Sequence, residues 1–569
     1  MNANEPKRTN KRLKRQTDGH DAVDSFSCNN NNSATSEEST IDAVMSEVLS
    51  CLRIPGLSVT LVKNGRVILA KGYGTKDKNG QEPVTSSTFF SIGSLTKAFS
   101  ATLLSKILYE KGHDLETPLT TIRELNDLRF STEELTAHVT ARDLFSHRTG
   151  IPSYDKARLG GQITLDNIAQ ILPLLQAAFP LRSKLMYNNL MYGLVGHVTQ
   201  RLTRKPWSDA MQDELLKPIG MRHTAILNTS NYEQFQLPTP YDFTKRNFNA
   251  TREISPKILK LWSMNAPSMA IVSDSVDMGK WLLFHLNEGR AEDDTQVIPQ
   301  EVLAETYRPV IPVPHPRNKF TARPITPVTF IFEEYGCAWK VGYYRGYPLV
   351  THSGSTLGFS SILTFIPSMN IGAYLNFNTF DRSHFRRRVI MAYLLDILLE
   401  ETPWLNSSTI CTFPAPFADW QYIPKSGANR TRGTAARALS SYVGRYHHPL
   451  FGSVNVVHNA TEPFLRMFYG PLGHWALFPN NSDEFFGVGQ GAVWNFALKD
   501  LKFTSLNANN EEIDAFIITS FEEKKPPIFK KVTEVSGINL NLFLTILFLL
   551  SLLTYHIVAH MVKRKRKSN

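Results

Sequence analysis

Ser94 and Lys97 stand three positions apart in Ser91-Ile92-Gly93-Ser94-Leu95-Thr96-Lys97-Ala98-Phe99, ahead of a helix-like run through Leu103, Leu104, Ile107 and Leu108. If Ser94 lies where a helix begins, its hydroxyl sits among unpaired backbone donors, and Lys97, one turn later, points back toward it on the same face. That geometry suits a serine nucleophile with a lysine as its proton acceptor. A serine hydroxyl attacks poorly until a base takes its proton, and a lysine does so near neutral pH only when burial and neighbouring positive charge lower its pKa. Alone, a Ser-x-x-Lys quartet recurs by chance and reads first as an ordinary helix start with a solvent-facing lysine.

Two later stretches change the weight of the first: Leu185-Met186-Tyr187-Asn188-Asn189-Leu190-Met191-Tyr192-Gly193 and Val350-Thr351-His352-Ser353-Gly354-Ser355-Thr356-Leu357-Gly358-Phe359-Ser360. With Ser94-Leu95-Thr96-Lys97 they form, in order, a three-part signature that resembles that of the serine penicillin-recognising enzymes. Tyr-Asn-Asn and His-Ser-Gly replace the Ser-Asp-Asn and Lys-Thr-Gly versions. The variants look like the class C beta-lactamase branch and its relatives: DD-peptidases, D-aminopeptidases, esterases and LACTB-like serine hydrolases. Thr140 to Pro152, Lys217-Pro218-Ile219-Gly220-Met221 and Ala266-Pro267-Ser268-Met269-Ala270 are similar to further family segments, so the resemblance runs from about Met45 to about Glu400.

The resemblance implies roles. Ser94 would be the nucleophile and Lys97 its base, with Tyr187 sharing the proton and passing it to the leaving group. Asn189 would orient Lys97 and hold the substrate amide, and the backbone donors of Ser94 and Ser355 would hold the oxyanion. His352, Gly354 and Ser355 would line the substrate side. His352 stands where many relatives have lysine, and a neutral imidazole holds a carboxylate less strongly than a permanent ammonium. The expected enzyme is a serine hydrolase acting through an acyl-enzyme on a small peptide, amide or ester. The alternative is a catalytically inactive member of the fold that binds or scaffolds.

The elements that must position these residues follow in order. Leu57 to Val62 and Val67 to Ala70 read as strands around a tight turn at Lys63-Asn64-Gly65-Arg66. An amphipathic helix is expected over 41–52, and residues 113–260 are mostly helical and loop-like. Ser273 reads as the cap of a helix through Trp281. Pro309 to Pro327 reads as an extended surface loop. Tyr335 to Lys340, Leu349 to His352, Phe359 to Ile366 and Ile371 to Asn376 read as strands that close the sheet. The expected fold is α/β (α+β), beta-lactamase/DD-peptidase-like: an antiparallel sheet flanked by helices, with a helical insertion.

The chain of 569 residues exceeds what one core organises. The expected units are a basic and polar disordered tail (1–40), the hydrolase domain (41–400), a linker (401–435), a small C-terminal β domain (436–525), a transmembrane helix (536–562) and a basic tail (563–569). Six Lys/Arg against two acids in residues 1–20, and five more at 563–567, account for nine of the net +11 charges. The middle is nearly balanced, so no nucleic-acid partner is expected. Cys28, Cys51, Cys337 and Cys411 form no close pair or ligand-like cluster, which leaves one distant disulfide open and calls for no metal or cofactor.

Residues 535–562 carry no charge and are strongly apolar from Leu540 to Leu553, long enough for a bilayer core. The reading is a single-pass membrane protein with the lipid bilayer as a partner. Lys563 to Lys567 places the short tail inside and the enzyme extracellular or lumenal, with a cytosolic tail-anchored enzyme as the alternative. Asn-x-Ser/Thr triplets at Asn228, Asn406, Asn429, Asn459 and Asn480 fit an outward-facing glycoprotein. Oligomeric state is left open.

Overall fold

The N-terminal hairpin forms as its sequence demands: β1 (Gly56–Lys63) and β2 (Arg66–Gly74) pair antiparallel. The turn residues Asn64 and Gly65 both take left-handed dihedrals, φ 51 and 73, as a two-residue hairpin turn requires. In the computed structural model, residues 36–227, 232–244, 247–254, 266–356, 358–419, 432–493, 496–506 and 512–532 are described.

The hairpin joins β3 (Ile311–Pro312), β4 (Phe330–Tyr335), β5 (Lys340–Tyr344), β6 (Tyr347–Thr356), β7 (Phe359–Ile366) and β8 (Ile371–Phe377) in an eight-stranded sheet of order β2-β1-β8-β7-β6-β5-β4-β3. The strand-like reading of Tyr335 to Lys340 is corrected. Tyr335 ends β4 and Lys340 begins β5, and between them the Gly336 N–H donates to the Trp339 carbonyl at 2.7 Å. Ala338, left-handed at φ 68, reverses the chain there. The proline-rich loop contributes β3, an edge strand on which the missing proline N–H costs no ladder bond.

Helices cover both faces: α1 (Ser36–Leu52), α2 (Thr96–Glu110), α3 (Asn189–Thr203), α4 (Ser275–Leu286), α5 (Phe385–Leu398) and α6 (Ser407–Thr412). The pleat sends alternate residues of β7 to opposite cores. Leu363 and Phe365 join Phe99, Leu103 and Trp281, whereas Ile362 and Ile366 join Met45, Val48 and Ile390. The first helix begins at Ser36, earlier than expected, with Ile41, Met45, Val48 and Leu52 facing the core. The cap of α4 is Asp274, whose side chain accepts from the Asp277 N–H, because Ser273 is taken up by a short strand, Ile271–Ser273. Within the stretch read as a linker, α6 is capped by Asn406 and bonded to α1 through a disulfide, Cys51–Cys411.

A closed eight-stranded barrel follows, from Gly444–His448 to Ile528–Lys531. Tyr446, Met467, Trp475, Phe503 and Phe516 are wholly or almost wholly buried in it. It packs on the helical insertion: Tyr469 donates its hydroxyl to the Ala157 carbonyl at 3.2 Å, and Tyr154 stacks edge-on at 6.2 Å from Phe451.

The transmembrane helix is a correction. Among the described residues no helix is long and apolar enough to cross a membrane, and residues 536–562 lie outside them. An apolar run in the sequence shows hydrophobicity alone; spanning also needs a helix that satisfies its own backbone groups. The single-pass location, the lipid-bilayer partner and the enzyme's sidedness rested on that helix and are corrected with it, as is the glycoprotein reading, which took its outward-facing side from it. The tails at 1–35 and 563–569 likewise lie outside the described residues.

Candidate active site

The turn that carries Ser94 is built by close approach. Gly93, left-handed at φ 56, opens a 3-10 turn, Gly93–Leu95, that leads directly into α2. A side chain at Gly93 would put its Cβ 2.8 Å from the backbone N of Ser355, and one at Gly354 would meet the Ile92 carbonyl oxygen at 1.9 Å. Glycine at both positions lets β6 lie against the turn that carries Ser94. The Ser361 hydroxyl adds a hydrogen bond to the Ile92 carbonyl at 2.8 Å.

Lys97 is 0% exposed. Its Nζ lies 3.1 Å from Ser94 Oγ, 2.8 Å from Asn189 Oδ1 and 3.1 Å from the Ser268 carbonyl oxygen. Burial drives its pKa well below that of an ordinary lysine, opposed by Asp155 and assisted by Arg158. A neutral amine has two N–H donors and one lone pair. When Asn189 and Ser268 take the two donors, the lone pair is left for the Ser94 hydroxyl.

The Tyr-Asn-Asn stretch divides its labour. Asn188 caps α3 by accepting from the Met191 N–H at 3.2 Å, while its amide donates to the Ile151 and Pro152 carbonyls. That cap puts Asn189 on the first turn of α3 rather than on a loop, with its oxygen on Lys97 and its Nδ2 donating to Asp155 Oδ1 at 3.0 Å. The Tyr187 ring centre is 4.8 Å from Lys97 Nζ. Tyr187 as a whole is 37% exposed at the mouth, yet its hydroxyl end is crowded: desolvation raises its pKa above the usual tyrosine value, offset in part by hydrogen bonding with Ser94.

His352 comes near Lys97 but is buried, 2% exposed, and its Nε2 is hydrogen-bonded to the Tyr335 hydroxyl at 2.9 Å. Burial, then Lys340, Lys97 and His147, holds its pKa well below the ordinary histidine value, so the ring is neutral. Ser355 accepts through Oγ from Arg387 Nη2 at 2.9 Å, and Arg387 also donates to the carbonyls of Gly354 and Ser361. Ser94, Lys97, Tyr187, Asn189, Gly354 and Ser355 therefore converge, with His352 buried behind Tyr335. Among the described residues no group of His, Cys, Asp and Glu is arranged to hold a metal ion.

Three residues near these groups were not singled out from the sequence. Arg387, 1% exposed on α5, fastens β6 to the Asp381 loop through an ion pair of 3.4 Å. His147 accepts through Nδ1 from the Asn188 N–H at 3.1 Å and places its ring 4.2 Å from that of Tyr187. It lies in the quoted Thr140 to Pro152 segment, where its neighbour Arg148 pairs with the buried Asp143 at 2.5 Å. Asp155 sits in a loop of ordinary composition, and only its hydrogen bond to Asn189 marks it.

A sequence profile described as Beta-lactamase matches residues 41–396. An unguisins hydrolase from Aspergillus violaceofuscus is 25% identical over 459 residues, 76% of this chain and 78% of that protein. A second, from Aspergillus campestris, is 28% identical over 438 residues, 73% and 76% of the respective chains. Among solved structures, the octameric penicillin-binding protein homologue from Pyrococcus abyssi superposes with a TM-score of 0.53 at 20% identity, covering 86% of this chain and 99% of its own. The D-amino acid amidase from Ochrobactrum anthropi has the same fold at a TM-score of 0.53 and 20% identity, covering 64% and 98%. The profile covers more than half of the chain, and the sheet, the helices and the Ser94–Lys97 pair agree with it: the chain belongs to the beta-lactamase family and is an enzyme of its serine-hydrolase type.

Proposed function

We propose that the chain hydrolyses small amide, peptide or ester substrates through an acyl-enzyme on Ser94. The observation that carries this reading is the set of three contacts made by the buried Lys97 amine, which leaves its lone pair to the Ser94 hydroxyl. As Ser94 Oγ bonds to the substrate carbonyl carbon, its proton passes to Lys97, and the resulting ammonium is held by Asn189 and the Ser268 carbonyl. The carbonyl oxygen, now an oxyanion, is received by the backbone N–H groups of Ser94 and Ser355. Tyr187 keeps its proton at neutral pH, because its pKa is raised. It is thus suited to protonate the leaving nitrogen or oxygen and to be recharged from Lys97. Water then reverses the sequence at the acyl carbon, releasing the acid and regenerating Ser94.

The similarity to two unguisins hydrolases supports hydrolysis as the reaction. The neutral, buried His352 argues against a substrate whose binding depends on a carboxylate held by a permanent charge at that position. Ser94→Ala tests the assignment: turnover of a p-nitrophenyl ester and covalent labelling by a fluorophosphonate should both vanish while the thermal transition stays in place. Labelling of the variant at the wild-type level would show that another group is the nucleophile. An inert wild type, tested on esters, peptides and amides, would instead favour a non-catalytic binding protein.

A further inference from the structure

The turn that carries Asp155 is gripped by the C-terminal barrel at several points. The Tyr154 N–H donates to Glu522 at 3.4 Å, and Lys156 lies 4.8 Å over the Phe496 ring. The Ala157 carbonyl accepts from Tyr469, and the backbone of Leu159 runs so close to Gly470 that an added Cβ would meet its oxygen at 1.9 Å. Tyr154 itself holds a left-handed φ of 47, unusual for a bulky residue. It is fixed from the insertion side as well, through a 3.0 Å hydrogen bond from its hydroxyl to the Gln176 carbonyl.

Asp155 lies at the start of this turn, on the side of the catalytic groups. A carboxylate only accepts, so it selects the face of the Asn189 amide that carries hydrogens. The other end, the carbonyl oxygen, must then face Lys97. If the amide were reversed, its NH₂ would donate to the Lys97 lone pair and compete with the Ser94 hydroxyl for it. We infer that Asp155 is a positioning residue for the Ser94–Lys97 reaction, and that the barrel, by clamping the Tyr154 to Gly161 turn, is the element that keeps Asp155 in place.

This inference rests on the reading of Lys97 as the base. The titratable groups around Lys97 are Asp155 and Arg158 from the turn, Tyr187 and Tyr192 with rings at 4.8 and 5.2 Å, and the neutral His147 and His352. Asp155 is the carboxylate that favours the ammonium form, opposing burial and Arg158. Its loss therefore has a signature that a general loosening of the fold lacks: the pH at which Lys97 becomes protonated moves down.

The test uses the full chain and p-nitrophenyl acetate. Asp155→Asn keeps the shape, removes the charge and lets the amide of Asn189 turn over. We expect kcat to fall by roughly 100-fold, as for a misplaced catalytic group, with KM within about 2-fold and the acid limb of kcat/KM shifted to lower pH. Asp155→Glu should recover part of kcat and return the limb toward wild type. Tyr469→Phe, which removes the clamp on Ala157 and touches no catalytic group, should lower kcat in the same direction by a smaller factor. An unchanged kcat and limb in Asp155→Asn, with Ser94→Ala inactive, would overturn the inference and leave the proposed function standing. Should Asp155→Asn fail to fold, Asp155→Ser and Tyr469→Phe decide: wild-type kcat and limb in both would also overturn it. Activity retained in Ser94→Ala would instead remove the reading beneath it.

Discussion

At the scale of residues, the site works through where protons are kept. Burial raises the pKa of Tyr187 and lowers that of Lys97, which biases one toward the acid and the other toward the base that the proposed mechanism needs before substrate arrives. Tyr187→Phe should lower kcat by about 10²–10⁴-fold while KM changes little, since the hydroxyl matters when the proton moves and the ring remains. Steady-state kinetics on a p-nitrophenyl ester and on an amide would check this, and an equal loss in binding would show that Tyr187 only packs against substrate. The pH profile follows with a definite sign. Protonation of Lys97 consumes the lone pair, so kcat/KM should fall as pH drops through its depressed pKa and rise to a plateau above it. Tyr187 ionises above the usual tyrosine range and adds no alkaline limb below about pH 10. The approach of Lys97 to Ser94, Asn189 and Tyr187 was legible because each motif is local and the three occur in order. Asp155 and Arg387 were not, because an aspartate in a loop and an arginine in a helix are chemically ordinary until a fold brings them to Asn189 and Ser355.

At the scale of elements, legibility followed periodicity and turn chemistry. The hairpin was readable from alternating apolar residues and Asn64-Gly65. In contrast α5, Phe385–Leu398, has no polar stripe: it shares one buried cluster with the sheet, α1 and α6, so Val389, Ile390, Met391 and Leu394 are all buried. Three arginines at its start hide it further, although Arg387 and Arg388 are themselves buried, Arg388 4.4 Å from the ring of Phe332. The disulfide was likewise out of reach, since Cys51 and Cys411 are 360 residues apart and meet only because α6 docks on α1. A cross-link over so long a loop restricts the unfolded chain, and Cys411→Ser should lower stability by about 2–4 kcal/mol. Denaturant midpoints with and without reductant would measure it, with reductant leaving the variant unmoved. Fluorophosphonate labelling of Ser94 should be unchanged, because α1 and α6 belong to the core on the other face of the sheet from α2. A midpoint equal to wild type would mean that α6 holds α1 through Ile410, Phe413 and Phe417 alone.

At the scale of the molecule, the barrel and the hydrolase domain share one continuous apolar core. Phe99, Trp281 and Leu363 belong to the same buried cluster as Tyr446, Trp475 and Phe503, joined through Tyr154, Ala157 and Phe451. The small β domain was readable as short alternating segments with glycine turns, but nothing in those segments announces that they close into a barrel or where the barrel docks. Closure needs the pairing of Tyr446 with Lys531, the first strand with the last, and docking needs the bare backbone of Gly470 against Leu159. A core shared in this way makes two units unfold together, because opening either one exposes apolar surface on the other. Scanning calorimetry of the wild type should show one transition, and fluorophosphonate labelling at Ser94, which forms a phosphonyl ester with loss of fluoride, should shift it as a whole. Gly470→Leu would place side-chain atoms where the Leu159 carbonyl sits, at a position already left-handed at φ 57, and should split the scan into two transitions. In that variant the label should move one transition and leave the other, assigned to the barrel, where it was. Two transitions already present in the wild type, with only one responding to the label, would mean that the barrel docks without sharing its stability.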